Sequence, residues 1–481
     1  MKPAKRSARF GLARIAAIAA LACGVLADAQ AAATIVIVNL NAAGEGFNDV
    51  TPVPPVGGNN GTTLGQQRLI AFQHAADIWG ATLASNVTIR VGATFMPLSC
   101  TADSAVLGSA GANDIFSDFP GAPKTGTWYP SALASKLAGN DQSAPADPHI
   151  VARFNSRLGL FPDCLPGAGF YLGLDNQAGP QIDLIAVLLH ELAHGLGFQT
   201  FTDGQTGEQT LAMPSIWDHY LVDNVNNKTW TQMSDAERMA SAISGNALSW
   251  NGANVTAAVP TALAPMSVLA ISGPAAGSAA GNYDVGDASF GPPLGSTPVV
   301  GQLMPVVDPG TTLGLACTPL STTNALAVKG NVALVDRGTC AFSIKAKNVQ
   351  DAGAIGMVVA DNAPGDVTGM GGDDPTVVIP SARITQPAGV NLKEALSRRS
   401  RTSSGVIASL GVNPARLAGT DPQNRIRMYT PTEYSPGSTV SHYTTDAKQN
   451  QLMEPSINGD LSHEVTAPRD LTFQLLKDIG W

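Results

Sequence analysis

The chain has 481 residues, with 28 Lys and Arg against 37 Asp and Glu, for a net charge of −9. That length is too great for one compact core, so at least two domains are expected. The acidic balance argues against nucleic acid and anionic membrane as partners.

Residues 1–31 read as an export signal rather than as fold. Lys2, Lys5, Arg6, Arg9 and Arg14 form a basic start, and Ile15 to Leu26 is an apolar run too short for a permanent span. Ala27-Asp28-Ala29 and Ala29-Gln30-Ala31 both fit a small-x-small cleavage site. Without residues 1–28, the remaining 23 basic and 36 acidic residues leave about −13. No later stretch is long and apolar enough to cross a membrane, so a secreted or periplasmic protein is expected. Four cysteines then remain, Cys100, Cys164, Cys317 and Cys340, an even number that suggests two disulfides in an exported chain.

Thr34 to Leu40 is a β-branched run and a first strand. Residues 41–63 are loop-like, rich in Gly, Pro and Asn. Leu64 to Ser85 carries helical spacing, with Leu69, Phe72, Ala76, Trp79 and Leu83 as its stripe. Asn86 to Phe95 alternates Val87, Ile89 and Val91 as a half-buried strand. Asp147 to Phe154 and Gly169 to Leu174 are two further strands. His74 and His149 fall in these elements as structural histidines.

Ile182 to Phe198, IDLIAVLLHELAHGLGF, is a buried helix ended by Gly195 and Gly197. His190 and His194 stand at i and i+4, so both imidazoles leave one face, with Glu191 beside them. This is the HExxH pattern: two imidazoles to hold a zinc ion and a carboxylate to act as base on water. The bland alternative is a core helix with two satisfied histidines, which leaves a Glu costly to bury without a partner.

Further on, Ser215 to Val222 is a short strand or helix. Met233 to Ser244 is a helix opened by Ser234 and Glu237 as a capping box. Residues 246–300 are rich in Ala, Gly, Ser and Pro and show no clear period. Strand Asn331–Val335, helix Ala341–Ala352 and strand Ala354–Ala360 then form a βαβ-type unit, with Val377–Ala382 and Pro387–Leu396 completing it. The acidic turn Gly371-Gly372-Asp373-Asp374 is read as a solvated loop ahead of a calcium site. Asp470 to Gly480 is an amphipathic helix.

Catalytic zinc needs a third protein ligand. The position six residues after His194 is Thr200, which removes the HxxGxxH solution. Glu237 is already explained by its capping box. His219, His442 and His463 remain, and His442 is favoured because Leu452-Met453-Glu454-Pro455 follows it, with Met453 eleven residues on.

The string His190-Glu191-Leu192-Ala193-His194-Gly195-Leu196-Gly197-Phe198, with Ser441-His442, Leu452-Met453-Glu454-Pro455 and the closing Lys477 to Trp481, resembles leishmanolysin-type metzincins. The resemblance implies His190, His194 and His442 as ligands of one zinc ion, Glu191 as the base, and Met453 as the residue of a Met-turn. It covers residues 34–180 only loosely. Its insertion between His194 and His442 is also far longer than that family's. Lys329 to Asn362, with Val335-Asp336-Arg337-Gly338-Thr339-Cys340-Ala341-Phe342 and Ala352-Gly353-Ala354, looks like a protease-associated (PA) domain, which accounts for most of the insertion.

The expected architecture is therefore α+β, a mixed sheet with an HExxH helix and an inserted α/β PA domain. Residues 32–260 form the first catalytic part, 290–412 the insert, and 413–481 the second catalytic part. Pairing Cys100 with Cys164 and Cys317 with Cys340 keeps each bridge within one unit. The implied activity is zinc-dependent hydrolysis of peptide bonds in a protein or peptide substrate. Two rivals stay open: an inactive secreted protein that captures a partner through its PA domain, and an aminopeptidase with a PA insert, whose two-metal ligand set is not visible. Tyr429 and Tyr443 are candidates for stabilising an oxyanion, with nothing in the sequence to single them out.

Overall fold

The computed structural model describes residues 31–310, 313–365 and 367–481. The export signal read over residues 1–31 lies, but for Ala31, outside them.

The first part of the chain runs β1 (Ile35–Asn39), α1 (Leu64–Thr82), β2 (Ile89–Met96), β3 (Gly108–Ala112), the short pair β4 (Ile115–Phe116) and β5 (Tyr129–Pro130), α2 (Ser131–Ala138), β6 (Ile150–Asn155), the short pair β7 (Phe170–Tyr171) and β8 (Ile182–Asp183), and α3 (Leu184–Leu196). Its main sheet has the order β1-β2-β6-β3. β1, β2 and β6 are parallel, and β3 runs antiparallel to β6 along the edge. Alternation in β2 places Ile89, Val91, Ala93 and Phe95 in the core. In α1 the buried face holds Ala71, Phe72, Ala75, Ala76 and Trp79, whereas Leu69 is 37% exposed. Phe72, Ala76, Trp79 and Leu83 of the expected stripe are buried, and Leu69 alone falls outside it.

The HExxH helix α3 begins at Leu184, capped by Asp183, whose Oδ1 accepts from the Ile185 and Ala186 N–H groups at 2.8 and 3.3 Å. It ends at Gly197, which has φ 125°. Gly195 does not stop the helix but lies inside it. A Cβ there would stand 2.3 Å from Ile150 Cγ2, so glycine is what lets α3 rest on β6. Gly195→Ala is expected to cost about 1–3 kcal/mol in overpacking, partly offset by about 1 kcal/mol of helix propensity. A lowered melting temperature in Gly195→Ala, with a smaller loss when the same change is made in an Ile150→Ala background, would check this. The Trp79 indole donates to Leu189 O at 3.1 Å and ties α1 to α3.

After α3 come β9 (Leu221–Asp223), β10 (Lys228–Thr229), α4 (Asp235–Ala242), β11 (Leu248–Trp250) and α5 (Ala253–Ala262). Ser234 and Glu237 form the expected capping box at α4.

The insert is wider than the span 290–412. It comprises β12 (Pro265–Ser272), β13 (Gly281–Asp284), β14 (Gly286–Asp287), β15 (Val299–Pro305), α6 (Thr322–Val328), β16 (Val332–Asp336), α7 (Phe342–Asp351), β17 (Gly356–Ala360), β18 (Ser381–Ile384), α8 (Gln386–Ala395) and β19 (Ile407–Leu417). These strands make one sheet of order β13-β12-β19-β15-β16-β17-β18-β14. Alternate residues of β16 and β17 feed two separate cores, Val332, Leu334 and Val358 into one, Ala333, Val335 and Val359 into the other. The chain enters by β12 and leaves by β19, which pair antiparallel from Pro265–Leu417 to Ser272–Ile407.

The last helix, α9 (Thr472–Ile479), returns to the first part. One core joins Ala33 to Leu263 with Ile426 to Ile479, so the two flanks of the insert share a single hydrophobic interior. Disulfides link Cys100 to Cys164 and Cys317 to Cys340. Among the described residues no helix is long and apolar enough to cross a membrane.

Candidate metal centre

Three histidines meet at the floor of a cleft of about 1540 Å³. His190 and His194 come from α3, one turn apart, and His442 from the segment after the insert. His442 Nε2 lies 3.2 Å from His190 Nε2 and 3.3 Å from His194 Nε2. All three side chains are buried.

Each ring is held from behind by a backbone carbonyl. His190 Nδ1 faces Leu452 O at 2.7 Å, His194 Nδ1 faces Phe198 O at 2.7 Å, and His442 Nδ1 faces Ser438 O at 2.8 Å. A carbonyl oxygen can only accept, so each Nδ1 carries the proton and each Nε2 presents a lone pair. Three lone pairs therefore converge with no N–H between them, an arrangement that repels unless a cation sits among them. The spacing also fits: ligand atoms about 2.0–2.1 Å from a tetrahedral zinc stand about 3.3 Å from one another. Burial holds the His190 imidazole down at about 4. Burial and its neighbour His190 bring His194 to about 3, and burial with both neighbours keeps His442 well below its usual range. The trio is thus neutral, the state a metal requires.

Glu191 lines the same cleft. Its Oε2 accepts from the Ala110 N–H at 2.9 Å, so the edge strand β3 fixes the carboxylate. Burial pushes the carboxyl up to about 7, against the pull of that hydrogen bond. A carboxylate near 7 can both take and return a proton at neutral pH.

Met453 is fully buried in a tight turn at Leu452–Met453. The carbonyl before it grips His190, and its own carbonyl accepts from the Tyr443 N–H at 2.8 Å, next to His442. The turn is itself held by Asp470, whose Oδ2 accepts from the Leu452 N–H at 2.6 Å. Just before His442, Val440 has φ 69°, a left-handed conformation that a β-branched residue adopts only when its surroundings enforce it.

The other candidates lie elsewhere. His219 Nε2 is 3.0 Å from Thr127 Oγ1. His463 Nε2 pairs with Asp183 Oδ2 at 3.0 Å and so braces the start of α3. His149 sits between the Arg90 N–H and Asp141. His74 faces the His463 ring, with centroids 6.4 Å apart. Glu237 caps α4 and pairs with Lys228. Tyr443 is buried with its hydroxyl donating to Leu471 O, which removes it as an oxyanion donor. Asp374, in the acidic turn weighed for calcium, accepts from Thr376 N and Oγ1. Among the described residues the three histidines form the single group spaced to hold a metal.

Sequence reasoning missed Asp218. It is fully buried and accepts from Thr200 Oγ1 and Thr202 Oγ1 at 2.7 Å each and from the Ser215 N–H at 2.8 Å. It thereby shapes the cleft wall that follows α3. Burial raises its carboxyl despite those bonds. The opposite walls are β3 with the residues before it, and the segments 434–442 and 455–461. No described residue of the insert lines the cleft.

Residues 299–392 match the family model of the PA domain, so the insert contains a PA domain. Over 195 residues the chain is 29% identical to an uncharacterized protein of Schizosaccharomyces pombe, a stretch covering 37% of this chain and 32% of that one. Over 64 residues it is 41% identical to leucine aminopeptidase 2 of Arthroderma otae, 13% of each. The chain thus spans a third or less of these curated relatives. Among solved structures, a zinc aminopeptidase from Bacillus subtilis is 20% identical, with a TM-score of 0.23, over 33% of this chain and 36% of that one. At that score the likeness carries no argument about the fold.

Proposed function

We propose that the chain is an exported zinc-dependent metalloendopeptidase of the leishmanolysin-like metzincin type, carrying a non-catalytic PA insert. The observation that supports it is the convergence of three proton-free Nε2 atoms beside a carboxylate at the floor of an open cleft. His190, His194 and His442 would hold the zinc, and Met453 would form the turn beneath them. When bound, the metal supplies Lewis-acid polarisation of a carbonyl and acidifies a water.

The rest is the work of the chain. Glu191 takes a proton from the attacking water and passes it to the leaving nitrogen. The Ala110 N–H keeps its carboxylate in place meanwhile. Among the described residues β3 has one edge without a strand partner, where only the Ala110 N–H is taken by Glu191, and along it an extended peptide can add its backbone as a further strand. Its residues Gly108 to Ala112 are all small, so the approach is not blocked. The two disulfides fit an oxidising compartment.

Purified protein is expected to carry one zinc per chain and to cleave an unfolded protein substrate. A strong chelator should abolish cleavage, and added zinc should restore it. A zinc-loaded protein without turnover would favour the inactive partner-capturing reading, and cleavage that survives full metal removal would exclude a metal mechanism.

A further inference from the structure

The described residues of the insert line no part of the cleft, yet they touch the segment that carries His442. On that segment Lys448 lies between His442 and Met453. Its ammonium forms an ion pair with Asp287 of β14 and donates to Ser267 Oγ of β12 at 3.2 Å. Ser267 Oγ in turn donates to Asp287 Oδ2 at 3.0 Å. The Lys448 carbonyl accepts from the Ala264 N–H, at the point where the chain passes into β12. Among the described residues Asp287 Oδ1 is buried without a hydrogen-bond partner, and the other oxygen of this carboxylate is held by Lys448 and Ser267.

From Lys448 a short series of contacts leads to the ligands. The Gln449 carbonyl accepts from Gln451 Nε2 at 2.9 Å. Gln451 is fully buried and its Oε1 accepts from the Leu471 N–H at 3.0 Å. Leu452 follows directly, and its carbonyl orients His190. Every link is a hydrogen bond or a peptide bond, so a shift at Lys448 has few soft joints in which to dissipate.

We propose that Lys448 and Asp287 are positioning residues: a strap through which the inserted unit holds the Gln449–Leu452 segment, and with it His190, in the metal-binding arrangement. The inference rests on the zinc reading above. It assigns the insert a role in keeping the site assembled, apart from any partner it binds.

The test uses the full-length zinc-loaded protein and four variants: Lys448→Met, Asp287→Asn, the charge exchange Lys448→Asp with Asp287→Lys, and Arg416→Ala. The last removes the Arg416–Asp284 ion pair, 2.9 Å long and confined to the insert. Zinc loss to a chelator, kcat, KM and the melting temperature are measured for each. The first two variants are expected to lose zinc about threefold to tenfold faster and to lose kcat by a similar factor, as groups that orient metal ligands do. KM should stay unchanged, since residues 443–454 line no part of the cleft. The charge exchange should recover most of the loss, and Arg416→Ala should match the wild type. A merely structural pair would lower the melting temperature without moving the zinc off-rate or kcat, and that result overturns the proposal. An equal effect from Arg416→Ala overturns it as well. A wild-type protein without bound zinc would instead overturn the metallopeptidase reading, and this inference with it.

Discussion

Replacing Glu191 by Gln is expected to lower turnover by about 10²–10⁴-fold while the zinc stays bound. Gln keeps the length and shape of the side chain, and its amide oxygen can still accept from the Ala110 N–H that now holds the carboxylate. It cannot take a proton. Geometry is thus retained and proton transfer alone is removed. The metal ligands are untouched, because Glu191 is not one of the three converging groups. His442→Ala is the informative contrast. It deletes one of the three proposed ligands, so metal and turnover should be lost together, whereas Glu191→Gln separates them. Metal content and activity of the two proteins, measured side by side, check both statements. Near-wild-type turnover in Glu191→Gln would remove it as the base, and full zinc retention in His442→Ala would remove His442 as a ligand.

Asp478→Ala is expected to destabilise the fold by about 3 kcal/mol or more, although this residue lies outside the cleft. Its carboxylate accepts four hydrogen bonds: from Trp250 Nε1 at 3.0 Å, the Asn254 N–H at 2.7 Å, Asn254 Nδ2 at 2.9 Å and the Val255 N–H at 3.2 Å. Two of these donors are the free N–H groups at the start of α5, where a negative charge is also favoured by the helix dipole. Alanine would leave all four donors without their acceptor in a site that is nearly closed to solvent. The neighbouring residues make the loss felt at the metal helix. The Trp481 indole donates to Leu196 O at 2.7 Å, and Lys136 Nζ donates to Gly480 O at 2.6 Å. Urea unfolding of the zinc-loaded protein measures the effect. Asp478→Asn, which keeps one good acceptor, should fall between alanine and wild type. A change below about 1 kcal/mol would show that water replaces these bonds easily.

The contrast between the two residues also marks what a sequence can disclose. Glu191 stood out because HExxH compresses ligands and base into one helical turn, and His442 because a methionine follows at a telling distance. The groups that aim the three imidazoles are the carbonyls of Phe198, Ser438 and Leu452, and a carbonyl has no side-chain signature. Asp218 and Asp478 look like any surface acid until the fold buries them. β12 and β19 were hidden for another reason. Their sequences, PMSVLAIS and IASLGVNPARL, mix Ala, Ser, Gly and Pro with the apolar residues, and they become strands by pairing with each other. Gly195 was legible as a glycine near a helix end, but the closeness of Ile150 that requires it lies in tertiary packing.

The pairing of β12 with β19 bears on how such a chain can reach its native state at all. Bringing His194 and His442 together along an unstructured chain would mean closing a very long loop, with the entropy that goes with it. Once the insert has folded on its own two cores, Pro265 and Leu417 are already neighbours, and the Ala418 N–H reaches the Ala264 carbonyl at 2.9 Å. The chain left to close is then residues 195–264 and 418–441, 70 and 24 residues, against the 247 between His194 and His442 along the sequence. An insert that folds first would act as a staple, and the three histidines, though divided in the chain, would then meet across a loop less than half as long, which lowers the effective contact order of their closure.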